Sequence, residues 1–129
     1  MILLDASVLI AFLDDSDVHH DKAQALLLSE ADEELAASML TLAEVLVGPV
    51  RTGRGPKVVD AIRDLAIRAV ALPDNPLELA TLRARSGLRM PDCCVLLAAV
   101  SSGGRLATFD ARLAHAAAQE GVRLAELKN

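Results

Sequence analysis

Apolar residues run along this chain in two alternating rhythms, short unbroken runs and longer stretches in which they recur at helical spacing. Met1 to Leu4 is an apolar run closed by Asp5, and Ser7 to Leu13 repeats at helical steps, so the chain opens as strand, turn and helix. Asp14 to Asp17 is a polar break before His20 to Leu28, whose Ala and Leu content predicts a helix. A second strand is predicted over Leu35 to Leu40. A helix then runs from Thr41 to Val47, with Thr41 and Glu44 spaced as a capping box and Gly48-Pro49 marking its end. Arg51 to Pro56 reads as a basic connection, and Lys57 to Ala66 as a helix. Ile67 to Leu72 alternates as a third strand and is closed by Pro73 to Pro76. Helices over Leu77 to Ser86 and Pro91 to Ser101 follow, separated by Gly87. After Gly103-Gly104 come a fourth strand over Arg105 to Thr108, a helix over Asp110 to Gln119 and a closing strand over Val122 to Leu124.

Strands alternating with helices predict an α/β fold, a three-layer α/β/α sandwich around a mainly parallel central sheet, because right-handed crossovers place helices on both faces. A chain of 129 residues is the size of one domain, expected to span 1–129. Ligands of such sheets bind at the carboxyl ends of the strands, so acidic residues in strand-to-helix turns are the ones to examine.

Composition narrows the choice. The apolar fraction is 53%, yet the longest apolar run, Cys93 to Val100, is far shorter than the roughly 20 residues that span a bilayer. The amino-terminal stretch is not built as a secretory signal, so a cytoplasmic location is expected. The two cysteines, Cys93 and Cys94, are neighbours; they match no zinc-ligand spacing and fit a reducing compartment and an apolar helix. The net charge of −5 hides an asymmetry: residues 1 to 48 carry ten acids and one lysine, and all ten arginines lie beyond. An acidic segment concentrates divalent cations, and an arginine-bearing one neutralises phosphates. Trp and Tyr are absent and Phe occurs only at 12 and 109, which argues against a module that stacks single-stranded bases on several rings.

Four acids stand at predicted helix starts: Asp5 after the first strand, Glu44 after Thr41, Asp92 after Pro91, and Asp110 after the fourth strand. Taken singly, each is explained by helix capping and the helix dipole. Taken together, the topology points several of them at one sheet edge, where clustered carboxylates repel unless protonated or neutralised. An all-oxygen donor set lacking His and Cys favours Mg²⁺ or Mn²⁺ over Zn²⁺, and such a site suits phosphodiester hydrolysis.

These residues resemble a known family, the PIN-domain ribonucleases, and within it the VapC toxins of bacterial toxin–antitoxin pairs. Asp5-Ala6-Ser7-Val8-Leu9-Ile10 resembles the family's opening motif and Thr41-Leu42-Ala43-Glu44-Val45-Leu46 its second. Pro91-Asp92 running into a small-residue helix resembles the third, and Ala107-Thr108-Phe109-Asp110 the last. The resemblance implies that Asp5, Glu44, Asp92 and Asp110 bind one or two Mg²⁺ or Mn²⁺ ions. It also implies endonucleolytic RNA cleavage leaving 5′-phosphate and 3′-hydroxyl ends. Ser7, Thr41 and Thr108 match polar family positions near the pocket, with helix capping the expected task of Ser7 and Thr41. The resemblance further implies a homodimer and a VapB-like antitoxin that lays an apolar segment over the groove and places Arg or Lys among the carboxylates.

Other polar residues read as ordinary surface. Asp14, Asp15 and Asp17 crowd a loop, Asp74 sits in a Pro-flanked turn, and His19, His20 and His115 show no metal-ligand pattern. Arg51, Arg54, Lys57, Arg85, Arg89 and Arg112 are candidate RNA contacts. Two other classes stay open: a catalytically silent PIN-like binding module, and a phosphoacceptor signalling domain. The second ordinarily has a lysine near the end of the last core strand, where this chain has Arg105.

Overall fold

The computed structural model describes residues 1–29 and 33–126. Its strands are β1 (Ile2–Leu4), β2 (Leu35–Ser38), β3 (Arg68–Val70) and β4 (Arg105–Ala107). They form one sheet in the order β3-β2-β1-β4, parallel throughout. Leu3 stands opposite Ala36 on one side and Leu106 on the other. Seven helices are present among the described residues. Those before β3 are α1 (Ala6–Leu13), α2 (His20–Ser29), α3 (Met39–Arg51) and α4 (Gly55–Asp64). After it come α5 (Pro76–Ser86), α6 (Met90–Ser102) and α7 (Ala111–Gln119).

The period of two in each strand divides the core. Ile2, Leu4, Leu35, Ala37 and Ala107 pack on one face against Val8, Leu9, Leu26, Val45 and Ile62, which belong to α1 through α4. Leu3, Ala36 and Leu106 face the other way, onto Leu82 of α5, the α6 run and Leu113 of α7. The result is the expected α/β/α sandwich around a parallel sheet. Helix α6 is apolar nearly all round, and Cys93 through Ala99 are buried, as such a helix requires. Both thiols lie inside it as free cysteines. Strand β3 is the exposed edge, where the Arg68–Glu34 pair (3.1 Å) puts charge on a border open to further strand pairing.

Several boundaries differ from the sequence expectation, each for a local reason. The second strand stops at Ser38, whose side chain accepts from the Thr41 amide (3.1 Å), so Ser38 caps α3 and Met39 and Leu40 lie in its first turn. Ser38 and Thr41 are both buried, and their hydroxyls bond at 3.0 Å. Thr41 is thus not the cap, and the capping-box reading of Glu44 falls with it. Pro49 does not stop α3, because its ring lies in the last turn and its carbonyl takes the amides of Thr52 (3.2 Å) and Arg54 (2.8 Å). Likewise α1 is capped by Asp5 and not by Ser7. Val122 to Leu124 contributes only a single bridge, Leu106 to Leu124, in place of a strand. Helix α4 ends at Asp64, and Ala66 turns the chain with φ at +56°, a left-handed conformation that a Cβ disfavours.

Ser38→Ala is expected to lower unfolding stability by about 1–2 kcal/mol, since it removes both a cap and the partner of a buried hydroxyl. Ala66→Gly is expected to raise it by about 0.5–1 kcal/mol. Urea titration checks both, and a change of opposite sign in either would contradict the local geometry described for it.

Candidate active site

Because every strand is parallel, the chain leaves β1, β2 and β4 at the same edge of the sheet. Asp5 follows β1, Glu44 lies in the helix after β2, and Asp110 follows β4 through Thr108 and Phe109. Helix α6 ends in the Gly103-Gly104 turn that feeds β4, so it runs antiparallel to that strand and its first turn, with Asp92, lies at the same edge. The four acids named from the sequence are therefore delivered to one side of the molecule.

Asp5 is the inner member, 5% exposed. Its Oδ1 accepts from Ser7 Oγ (2.6 Å) and from the Val8 amide (3.1 Å), while its Oδ2 accepts from Thr108 Oγ1. Those hydroxyls are themselves held: Ser7 Oγ accepts from the Phe109 amide (3.0 Å), and Thr108 Oγ1 accepts from the Asp110 amide (2.9 Å). The Asp5 amide donates to the Ala107 carbonyl (3.2 Å), so backbone and side chain together join the ends of β1 and β4. Asp110 caps α7 through the amides of Arg112 (2.9 Å) and Leu113 (3.4 Å).

Capping thus accounts for part of the work of Asp5 and Asp110, and for none of that of the other two. Glu44 lies well inside α3 on its exposed side. Asp92 stands in the first turn of α6, whose cap position is Arg89 without a side-chain cap bond. Ser7, expected as a helix cap, and Thr108 instead tie the Asp5 carboxylate to the turn after β4, a task that matches their polar positions in the family motifs.

Electrostatics link the four. Burial pushes the Asp5 carboxyl above the ordinary range, against its hydrogen bonds with Ser7, Thr108 and Val8, and the Asp110 charge pushes it further. Glu44 is raised by burial and by Asp92, with Arg89 opposing and Asp5 adding to the rise. Asp92 is raised by burial and by Asp110, with Arg89 and Arg112 opposing. Each acid therefore feels another of the set, and two arginines temper the repulsion. Burial lifts the Cys94 thiol, with Cys93 and Glu44 adding to it, so it is kept as an unreactive thiol.

Among the described residues no three His, Cys, Asp or Glu side chains form a ready-made coordination sphere. The donor set nevertheless fits a hard divalent ion: it offers carboxylate oxygens only, and burial, with like charges adding to it, raises three of its members. Mg²⁺ commonly takes one or two carboxylates directly and keeps waters for the rest.

Not all the acids and histidines set aside on sequence are remote. Asp14 and Asp15 line, with Glu44, Arg54, Ile10 and Val45, a cleft of about 570 Å³. Asp17 and Asp14 order their own loop by accepting the His19 amide (2.8 Å) and the Ser16 amide (3.0 Å). His19 stacks on Phe109, with ring centroids 4.3 Å apart and 8° between planes. His20 Nδ1 meets the Ala11 carbonyl at 2.8 Å.

Sheet order, helix layering and a row of carboxylates at the strand ends define an α/β/α sandwich with an acidic carboxyl edge. The chain belongs to the PIN domain family, whose model matches residues 2–119. A comparison with curated protein sequences gave no match. Among solved structures it is similar to VapBC2 from Rickettsia felis bound to a promoter DNA fragment, with 16% identity over 97% of this chain and 98% of that one (TM-score 0.73). It is also similar to a chain of a toxin–antitoxin complex from Klebsiella pneumoniae, with 22% identity over 85% and 87% (TM-score 0.69). A third similar structure is VapC20 from Mycobacterium tuberculosis, described as a sarcin-ricin loop cleaving toxin, with 19% identity over 90% and 95% (TM-score 0.66).

A group whose folded pKa is raised binds more protons folded than unfolded, so its effect on stability turns against the folded state as pH rises above the unfolded value, 3.8 for an aspartate. Asp92→Asn is therefore expected to melt higher than the wild-type chain at neutral pH, with the gap closing as pH falls toward about 4. Adding Mg²⁺ is expected to raise the melting temperature of the wild type more than that of the variant. Scanning calorimetry across that range, with and without Mg²⁺, checks both; a gap that widens on acidification would contradict the assigned repulsion.

Proposed function

We propose that this chain is a divalent-metal-dependent endoribonuclease and the toxin of a toxin–antitoxin pair. The observation that carries the reading is the set of four mutually repelling carboxylates, Asp5, Glu44, Asp92 and Asp110, at the carboxyl edge of a PIN-family sheet. The similarity to a toxin described as cleaving the sarcin-ricin loop supports RNA as the substrate.

In this reading Asp5, Glu44, Asp92 and Asp110 hold Mg²⁺ or Mn²⁺. When bound, the ion supplies a water of lowered pKa and positive charge against the attacked phosphate. Asp5 is fixed by Ser7 and Thr108 and serves as the rigid reference of the pocket. Glu44 and Asp92, less buried than Asp5, are placed to take the proton that leaves the attacking water. Arg89 and Arg112 lie near enough to temper the acids and to meet phosphate oxygens.

The partner belongs to the same proposal. Ile10, Val47, Val50 and Met39 are between 44% and 72% exposed, and Ile10, Leu13, Val45 and Val58 line the cleft shared with Asp14, Asp15 and Glu44. An apolar segment bearing Arg or Lys matches that surface, as a VapB-like antitoxin would, and a second copy of the chain accounts for further apolar area. The similarity to toxin–antitoxin complexes supports this assignment. A cytoplasmic setting fits two free cysteines, and no described helix is long and apolar enough to cross a membrane.

The test is cleavage of total bacterial RNA by inhibitor-free protein with Mg²⁺ or Mn²⁺ against a chelator. Discrete metal-dependent products are expected, reduced on the order of 100-fold or more by Asp92→Asn. Equal activity of the two proteins, with metal binding verified, would instead favour a silent binding module.

A further inference from the structure

Between the end of α5 and one face of α7 lies a cavity of about 510 Å³ that the carboxylates do not line. It opens beside them, since its wall begins at Ala111, the residue after Asp110. We propose that this cavity is a subsite for one nucleotide of a single-stranded RNA flanking the cleaved bond, with Arg112 meeting its phosphate and His115 and Gln119 its base. The proposal names the substrate-recognition surface of the nuclease read above, but its binding claim stands or falls separately.

Arg112, His115 and Gln119 recur along α7 at steps that keep them on one face, leading away from Asp110 over about 10 Å. That length adds one position to the chain crossing the carboxylates. Arg112 is exposed and forms no ion pair among the described residues, so its charge is available to an incoming phosphate. The same guanidinium reaches Asp92 electrostatically, which places it between the cavity and the acidic edge. At the far end Glu120, the one acid in the lining, is paired with Arg85 at 2.7 Å. Its repulsion of phosphate is thereby offset, and Arg85, 60% exposed, keeps further N–H donors turned outward. His115 and Gln119 approach at 3.3 Å and present both donor and acceptor atoms, as recognition of a base edge requires. Buried Leu88 gives the cavity an apolar floor against which a base face can lie. A volume of this size falls in the range of small-ligand sites. With neither Trp nor Tyr in the chain, hydrogen bonds and charge take the place of ring stacking.

The experiment is equilibrium binding of a labelled, unstructured 12-nucleotide RNA to the full chain in EDTA, followed by fluorescence anisotropy over a series of salt concentrations. Arg112→Ala is expected to weaken binding roughly tenfold and to lower the slope of log K against log salt by about 0.7. His115→Ala with Gln119→Ala is expected to weaken binding without changing the slope. Arg63→Ala, on the exposed side of α4, is the control and is expected to change little. Circular dichroism verifies that each variant is folded. Unchanged affinity and slope in the α7 variants, no binding by the wild type, or equal competition by a polyglutamate peptide each overturn the subsite. Cleavage measured in parallel keeps the two readings apart. Pocket-dependent binding without metal-dependent cleavage sinks the nuclease and leaves the subsite; cleavage by a chain whose RNA binding ignores these residues does the reverse.

Discussion

A carboxylate taken out of water at the end of a strand is tolerable only where donors surround it, and Asp5 is so placed. Ser7, the Val8 amide and Thr108 share its two oxygens, and each hydroxyl passes the constraint on by accepting an amide of the turn after β4. The position of Asp110 is thus set partly by Asp5, across more than a hundred residues of sequence. Strands β1 and β4 are coupled at their carboxyl ends by this relay as well as by the ladder. The same relay holds the innermost acid in one orientation while its neighbours stay closer to solvent.

Repulsion and packing meet at that edge. The apolar layers on either face bring α3 and α6 onto the sheet, and α3 also packs on α6, which brings Glu44 and Asp92 within electrostatic reach of one another. Hydrophobic burial therefore supplies the free energy that assembles groups that would otherwise separate. Arg89 and Arg112 moderate the resulting strain without abolishing it, since Glu44 and Asp92 keep carboxyls above the ordinary range. Negative charge concentrated in this way makes the edge favourable ground for a cation.

Much of this was legible in the residues. Short apolar runs between turn and helix signals located all four strands of the sheet, and the Asp5, Pro91-Asp92 and Asp110 positions follow from strand ends and helix starts. The misreadings arose where side chains compete locally for backbone amides. Ser38 and Thr41 can each cap a helix, and only burial of the Ser38 hydroxyl against Thr41 decides between them. Gly48-Pro49 carries a stop signal that the following tight turn overrides by bonding back to Pro49. Val122 to Leu124 has strand-like composition but pairs at a single point beside β4. Ser7 could not be distinguished from a cap on sequence, because its partner, Phe109, lies on another strand's exit. Nothing in the spacing of Arg85, Arg112 and His115 announced a shared cavity, which exists only because α5 and α7 lie side by side.

The stack of His19 on Phe109 bears on how the molecule tolerates change. Surface connections ordinarily accept insertions and deletions with little penalty, since few contacts fix their length. The segment from Asp14 to His19 is different: Asp14 and Asp17 fold it on itself, and the imidazole then lies flat on a ring whose neighbours in sequence are Thr108 and Asp110. A residue added or lost there would lift His19 off Phe109 and disturb the turn that presents Asp110. That loop can accept changes in its exposed residues far more readily than a change in its length.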